Sequence, residues 1–263
     1  DADYVIDCSG APKDKSGLVQ VDSIPVNSVY VTQCYWDHVR FQETLTIARP
    51  YGWVFGIPLR NRCSIGYMYN NNVTSLDEVK KDVQQIFADY DLTPSSDTNS
   101  FSFGNYYRKE NMTDKVAYSG NASFFLEPLE ATSIGVMDTI NRHTFDYLVN
   151  GVPKEVLNLR YKALLTEIQG MMALHYFAAD NWDNDFWNLA RDKATKFLKS
   201  ERQDGFETLV KLALNSILTN DKYPSDIEGA GTWGVWSYAQ NIQALGLTDK
   251  LFGMYSEKVA ANA

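Results

Sequence analysis

Residues 124–135 read FFLEPLEATSIG, in which two carboxylates, Glu127 and Glu130, bracket a Pro-Leu pair inside an apolar stretch. A strand-like VAYSG precedes the segment and a helical pattern follows, so it reads as the mouth of a helix that begins at Glu130. The backbone N–H groups of Ala131, Thr132, Ser133 and Ile134 are then the unpaired donors of a first helical turn. Their partial positive charge suits an anion. Two roles stay open for Glu130: complementing the helix dipole, or acting as a catalytic carboxylate partly desolvated by its apolar neighbours.

The other chemistry-bearing residues give weaker patterns. His38, His143 and His175 are far apart and form no HExxH or HxH pair, so no metal site is expected. His175 is in phase with Leu157, Tyr161, Leu164, Ile168 and Met171, and reads as a core histidine bonded to backbone. Cys8, Cys34 and Cys63 sit in strand-like contexts without zinc or disulfide spacing and read as reduced core residues. Residues 229–234 match GxGxxG. They follow Tyr-Pro-Ser-Asp rather than an apolar strand, and Trp233 is bulky where phosphate needs close backbone approach, so a loop leading into a helix is expected. Asp180, Asp183 and Asp185 lack the glycine and closing Glu of a calcium loop and are expected to cap a helix starting near Asp185.

These residues need elements to hold them. Strands are expected at 4–8, 28–32, 44–48, 53–59 and 63–69, all dense in β-branched and aromatic residues. All but the first read as one antiparallel sheet, with a hairpin at Arg60-Asn61-Arg62. Ser75-Leu76-Asp77-Glu78 is a capping box, and Val79, Val83, Ile86, Phe87 and Tyr90 recur at helical spacing until Pro94. Two further strands are expected at 101–107 and 116–120, then helices at 130–148, 154–176, 185–199, 205–219 and 232–245. Strands followed by helices fit an α+β chain, or a cut α/β domain with an inserted sheet.

The 263 residues, 44% hydrophobic, suffice for a large core, and the net charge of −9 excludes nucleic acid and an anionic membrane as expected partners. No apolar run approaches 18 residues and the first residues lack signal-peptide features, so a cytoplasmic protein without a membrane partner is expected. The chain opens on a strand without an initiator Met, which suggests that a larger domain has been cut.

EPLEATSI at 127–134 resembles the EPLE-S/A-T-S/G-I signature of the flavin-dependent tryptophan-halogenase family. GWVFGIPL at 52–59 is similar to that family's W-x-W-x-I-P motif, with Phe55 in place of the second Trp, and ADYVIDCSG at 2–10 matches its ADxxIDCSG strand. Leu174-His175-Tyr176 and the Trp-rich segment after it resemble the family's C-terminal helical part. The resemblance implies a glutathione-reductase-like α/β FAD domain, present here as a fragment, with an inserted antiparallel substrate-domain sheet and a helical C-terminal region. The expected divisions are 1–20 as the last part of the FAD domain, 21–115 as the substrate-domain sheet with one helix, 116–150 as the return to the FAD domain, and 151–263 as the helical region. The family's FAD pyrophosphate loop and catalytic lysine lie upstream of the part matched here.

The activity implied is electrophilic halogenation of an aromatic, indole-like substrate, using halide, O₂ and FAD reduced by a separate flavin reductase. By the same resemblance Glu130 is catalytic, Thr132 and Ser133 bind halide, Asn121 and Ile134 contact FAD, and Trp53 and Phe55 line the substrate pocket. Without the resemblance, Trp53 and Phe55 read as sheet core. A flavin monooxygenase on the same scaffold and a non-catalytic aromatic-binding module are the alternative functions. A homodimer is a further open expectation.

Overall fold

The computed structural model describes residues 2–200, 205–219 and 233–261. In chain order the strands are β1 (Val5–Asp7), β2 (Leu18–Gln20), β3 (Ser28–Tyr35), β4 (Leu45–Arg49), β5 (Gly52–Pro58), β6 (Arg62–Tyr69), β7 (Thr93–Ser102), β8 (Tyr106–Arg108), β9 (Val116–Tyr118) and β10 (Phe124–Phe125). The α-helices are α1 (Leu76–Asp89), α2 (Thr132–Leu148), α3 (Lys154–Ala178), α4 (Asp185–Lys199), α5 (Phe206–Thr219), α6 (Val235–Ala244) and α7 (Thr248–Ala261). Two compact units result: Pro25–Gly104 with Ala179–Lys193, and Asp1–Ile24 with Asn105–Ala178 and Ala194–Ala263.

The first unit is a five-stranded antiparallel sheet of order β4-β5-β6-β3-β7. Side chains alternate across it, so Val54 and its partner Tyr67 share one face while Trp53, Met68, Phe55 and Gly66 share the other. The Val54 face is covered by α1, whose Val79, Val83, Ile86 and Phe87 pack with Tyr30, Cys34, Cys63, Ile65 and Tyr67. Each such buried side chain contributes about 1.5–3 kcal/mol. The expected capping box is present: Glu78 N–H donates to Ser75 Oγ at 3.3 Å and Ser75 N–H to Glu78 Oε2 at 2.8 Å. Asp82 of α1 accepts from the Tyr67 hydroxyl at 2.9 Å and pairs in two-point fashion with Arg49 at 2.9 and 2.8 Å, tying helix to sheet.

Two sequence expectations are corrected in this unit. The strand expected at 101–107 is two strands, because β7 begins at Thr93 directly after α1 and ends at Ser102, and β8 starts at Tyr106. At the sheet edge, nearly all of β7 faces solvent, so it shows no apolar alternation, and an edge tolerates Pro94 without an N–H. The helix near Asp185 is capped by Asn184, whose Oδ1 accepts from Trp187 N–H at 3.0 Å, and not by the aspartates.

In the second unit β8 pairs antiparallel with β10 and β2, and β1 pairs in parallel with β9. α3 is central: Leu157, Tyr161, Leu164, Leu165, Ile168, Met171 and Met172 are buried along it. Asn158 ties α3 to the strand loops by accepting from Asn111 and Met112 N–H at 2.8 and 3.0 Å. Gly170 lets Phe206 of α5 lie against α3, since a Cβ there would stand 1.9 Å from the Phe206 ring. Cys34 and Cys63, partners across β3 and β6, are buried free thiols as expected, whereas Cys8 is exposed. Cys8 follows β1, a strand whose partner among the described residues is β9 alone, so its surroundings are open. Residues 229–232 of the GxGxxG match lie outside the described residues.

Candidate active site

The segment after β10 is fixed at its first carboxylate. Glu127 is fully buried; its N–H donates to Asn105 Oδ1 at 2.9 Å and its Oε2 accepts from the Tyr176 hydroxyl at 2.6 Å. Pro128 and buried Leu129 follow, and then the backbone turns sharply: Glu130 has φ 65, ψ 11 and Ala131 φ 51, ψ 36. Two consecutive left-handed residues that are not glycine cost about 1–3 kcal/mol each and persist only when their surroundings hold them.

This turn corrects the expected helix boundary. α2 starts at Thr132, not Glu130, and the Ala131 N–H donates to Pro128 O at 2.9 Å instead of standing free. The helix mouth is two residues later and contains Thr132, Ser133 and Ile134. No side chain caps it, in contrast to α1, and the buried Thr132 hydroxyl has no hydrogen-bond partner. Ser133 is exposed and Ile134 is 76% exposed. An uncapped helix start with an orphan hydroxyl is a polar, electropositive socket of the kind an anion satisfies.

Glu130 is half-buried and meets a residue 45 positions away: His175 Nε2 lies 2.9 Å from Glu130 Oε1. The His175 Nδ1 lies 2.9 Å from Met171 O, so the expected backbone bond of a core histidine is present. The second bond is what the helical phase of His175 did not reveal. The His175 hydrogen bond holds the Glu130 carboxyl below its ordinary range despite burial, which acts upward, and the His175 charge adds to the lowering. For His175 burial pulls downward most strongly, but the Glu130 bond, the Met171 carbonyl and the charges of Glu130 and Glu127 outweigh it, and the net direction is up.

Asn121 sits in a one-turn 3₁₀ helix, Gly120–Ala122, ahead of β10, with its side chain exposed and its carbonyl accepting from the Tyr106 hydroxyl at 2.8 Å. It belongs to the same unit as Glu130, Thr132, Ser133 and Ile134. Trp53 and Phe55 belong to the sheet unit, on the face opposite α1, with ring centroids 6.1 Å apart and the Phe55 ring over Gly66. Neither belongs to the α1 core, yet Trp53 is buried with its partner Met68 on the opposite face, in line with the sheet-core reading, while Phe55 is half-buried. An open groove of about 380 Å³ beside α1 is lined by Arg49, Lys81 and Asp82, but its arginine is already locked to Asp82. Among the described residues no three His, Cys, Asp or Glu side chains cluster as metal ligands, and no helix is long and apolar enough to cross a membrane.

Residues 1–216 match the tryptophan halogenase family model. The chain belongs to the tryptophan halogenase family. Among curated relatives in that family, the 7-chloro-L-tryptophan 6-halogenase KtzR of Kutzneria sp. (strain 744) is 25% identical over 66% of this chain and 34% of its own length. The tryptophan 7-halogenase RebH of Lentzea aerocolonigenes is 23% identical over 84% of this chain and 44% of its own length. The chain thus spans less than half the length of these halogenase relatives. In fold it is similar to Xcc4156, a flavin-dependent halogenase from Xanthomonas campestris, with a TM-score of 0.70 at 19% identity over 98% of this chain and 55% of that one.

Proposed function

We propose that this chain carries the halide and proton-handling part of a flavin-dependent halogenase acting on an aromatic substrate. The observation that carries the reading is Glu130, a half-buried carboxylate held by His175 at the mouth of an uncapped helix. In this reading the N–H groups of Thr132 and Ser133 hold the halide, and the partnerless Thr132 hydroxyl fits that role. The exposed Asn121 and the exposed apolar Ile134 suit contact with FAD, and the family's motif assigns Trp53 and Phe55 to the aromatic wall of the substrate. Bound FAD, reduced by a transiently associating flavin reductase, would supply with O₂ the oxidising power that converts halide to hypohalous acid. Glu130 faces the ring carbon under attack. Its charge stabilises the cationic ring, and its free oxygen accepts the departing proton. A reducing cytoplasm suits both the reduced flavin and the thiols of Cys34 and Cys63.

The test is the product formed by the intact reading frame supplied with flavin reductase, O₂, bromide and a panel of indoles and phenols. Mass spectrometry should find a brominated product that disappears when bromide is withheld. Oxygenated product independent of halide would favour a monooxygenase, and binding of aromatics without turnover a binding module.

A further inference from the structure

His175 and Tyr176 are consecutive in the last turn of α3, and each takes one of the two glutamates that bracket Pro128-Leu129. The Tyr176 hydroxyl donates to Glu127 Oε2 at 2.6 Å, and His175 Nε2 stands 2.9 Å from Glu130 Oε1. Glu127 is sealed in the interior while Glu130 is half-buried at the helix mouth, so the first grip anchors the loop and the second acts on the candidate reacting group. Both His175 nitrogens face acceptors, the Met171 carbonyl at 2.9 Å and the Glu130 carboxylate. Beside a Glu130 held ionised, neutral imidazole has one N–H and would leave one of these contacts without a proton, whereas imidazolium satisfies both.

We propose that His175 is a positioning residue that, as a fixed imidazolium, holds Glu130 ionised and in one orientation within its left-handed turn. The substrate-facing consequence rests on the halogenase reading above; the pair itself does not. Every group facing the imidazole fits the assignment. Glu130 and Glu127 approach from the loop, the Met171 carbonyl from its own helix, and among the described residues no lysine or arginine forms an ion pair with Glu130. Only Oε1 of Glu130 is engaged, leaving Oε2 without a partner among the described residues. The oxygen available to substrate is therefore set by the ring that holds the other one. A left-handed glutamate keeps its strained backbone only where its surroundings hold it, and the His175 contact is one of those holds.

The test is ¹⁵N-histidine NMR of this chain, in which only His38, His143 and His175 give signals. His175 is assigned by its loss in His175→Gln. Both ring nitrogens of His175 should remain protonated well above the ordinary histidine midpoint. In Glu130→Gln, a near-isosteric change, the midpoint should fall by about one pH unit or more as burial loses its main opponent. A wild-type His175 that is a neutral single tautomer at pH 6, or one whose midpoint is unchanged in Glu130→Gln, would overturn the proposal. In the intact enzyme His175→Gln should lower kcat and move its pH profile with little change in KM. An unchanged profile would remove the positioning role. A pair seen by NMR in a protein that halogenates nothing would uphold the pair and count against the halogenase reading instead.

Discussion

If Thr132 holds halide as proposed, its stability and function pull in opposite directions. Its hydroxyl is buried without a partner, and a buried polar group left unsatisfied costs about 1–3 kcal/mol. Thr132→Val, nearly the same shape, should therefore raise stability in urea by about 1 kcal/mol while weakening halide-dependent turnover. Denaturation midpoints with and without bromide read the first effect, and bromide titration of turnover the second. The Glu130–His175 pair predicts a pH window. A depressed carboxyl stabilises above its ordinary 4.5 and loses that as pH falls through its folded value. A raised imidazole stabilises below its ordinary 6.5 and loses that as pH rises through its folded value. The pair thus stabilises most between about pH 4.5 and 6.5, where Glu130→Gln should cost about 1–2 kcal/mol, with a smaller cost on either side. Thermal melts across pH check this. Glu130, Thr132 and Ser133 stand out in the sequence because they share one short motif, and their roles are the proposal made above. His175 was not, because its partner is 45 positions away and nothing local marks the contact.

At the scale of elements, the sequence announces what is locally encoded. α1 carries a capping box and an apolar stripe of period 3.6, and the structure reproduces both. The central strands β3, β5 and β6 have apolar and β-branched residues and pair as expected. The first half of β7 was missed because an exposed edge strand has no buried side to pattern. The start of α2 was misplaced because Glu-Ala gives no sign of left-handed backbone, which sequence normally marks with Gly or Asn. α7 was not foreseen at all. Gly170 shows a contact that sequence alone leaves silent. Gly170→Ala gains about 1 kcal/mol of helix propensity, yet the new methyl meets the Phe206 ring, and the net cost should be about 1–2 kcal/mol. Urea unfolding of the variant checks that sign. Stabilisation would mean the α3–α5 contact is looser than described.

Across the chain as a whole, some apolar surface stays open to solvent. β1 and β9 form a two-stranded parallel sheet, an arrangement that is ordinarily part of a larger sheet buried on both faces. Val5 and Ile6 on β1 and Phe145, Leu148 and Val149 on α2 are left exposed. We expect the chain by itself to bind a hydrophobic dye and to associate as its concentration rises, and Phe145→Glu with Val149→Lys to reduce both effects. Light scattering and dye fluorescence measure them; a monomer that binds no dye would show this surface to be self-sufficient. Under the proposed function Glu130 works on the substrate and not in making the oxidant. The most direct measurement compares the intact wild-type reading frame with Glu130→Gln under reduced flavin, O₂ and bromide, quantifying brominated substrate and, with a soluble trap, hypobromous acid. Glu130→Gln should lose most brominated product while hypobromous acid still forms. Equal bromination in both proteins, or loss of hypobromous acid together with product, would contradict it.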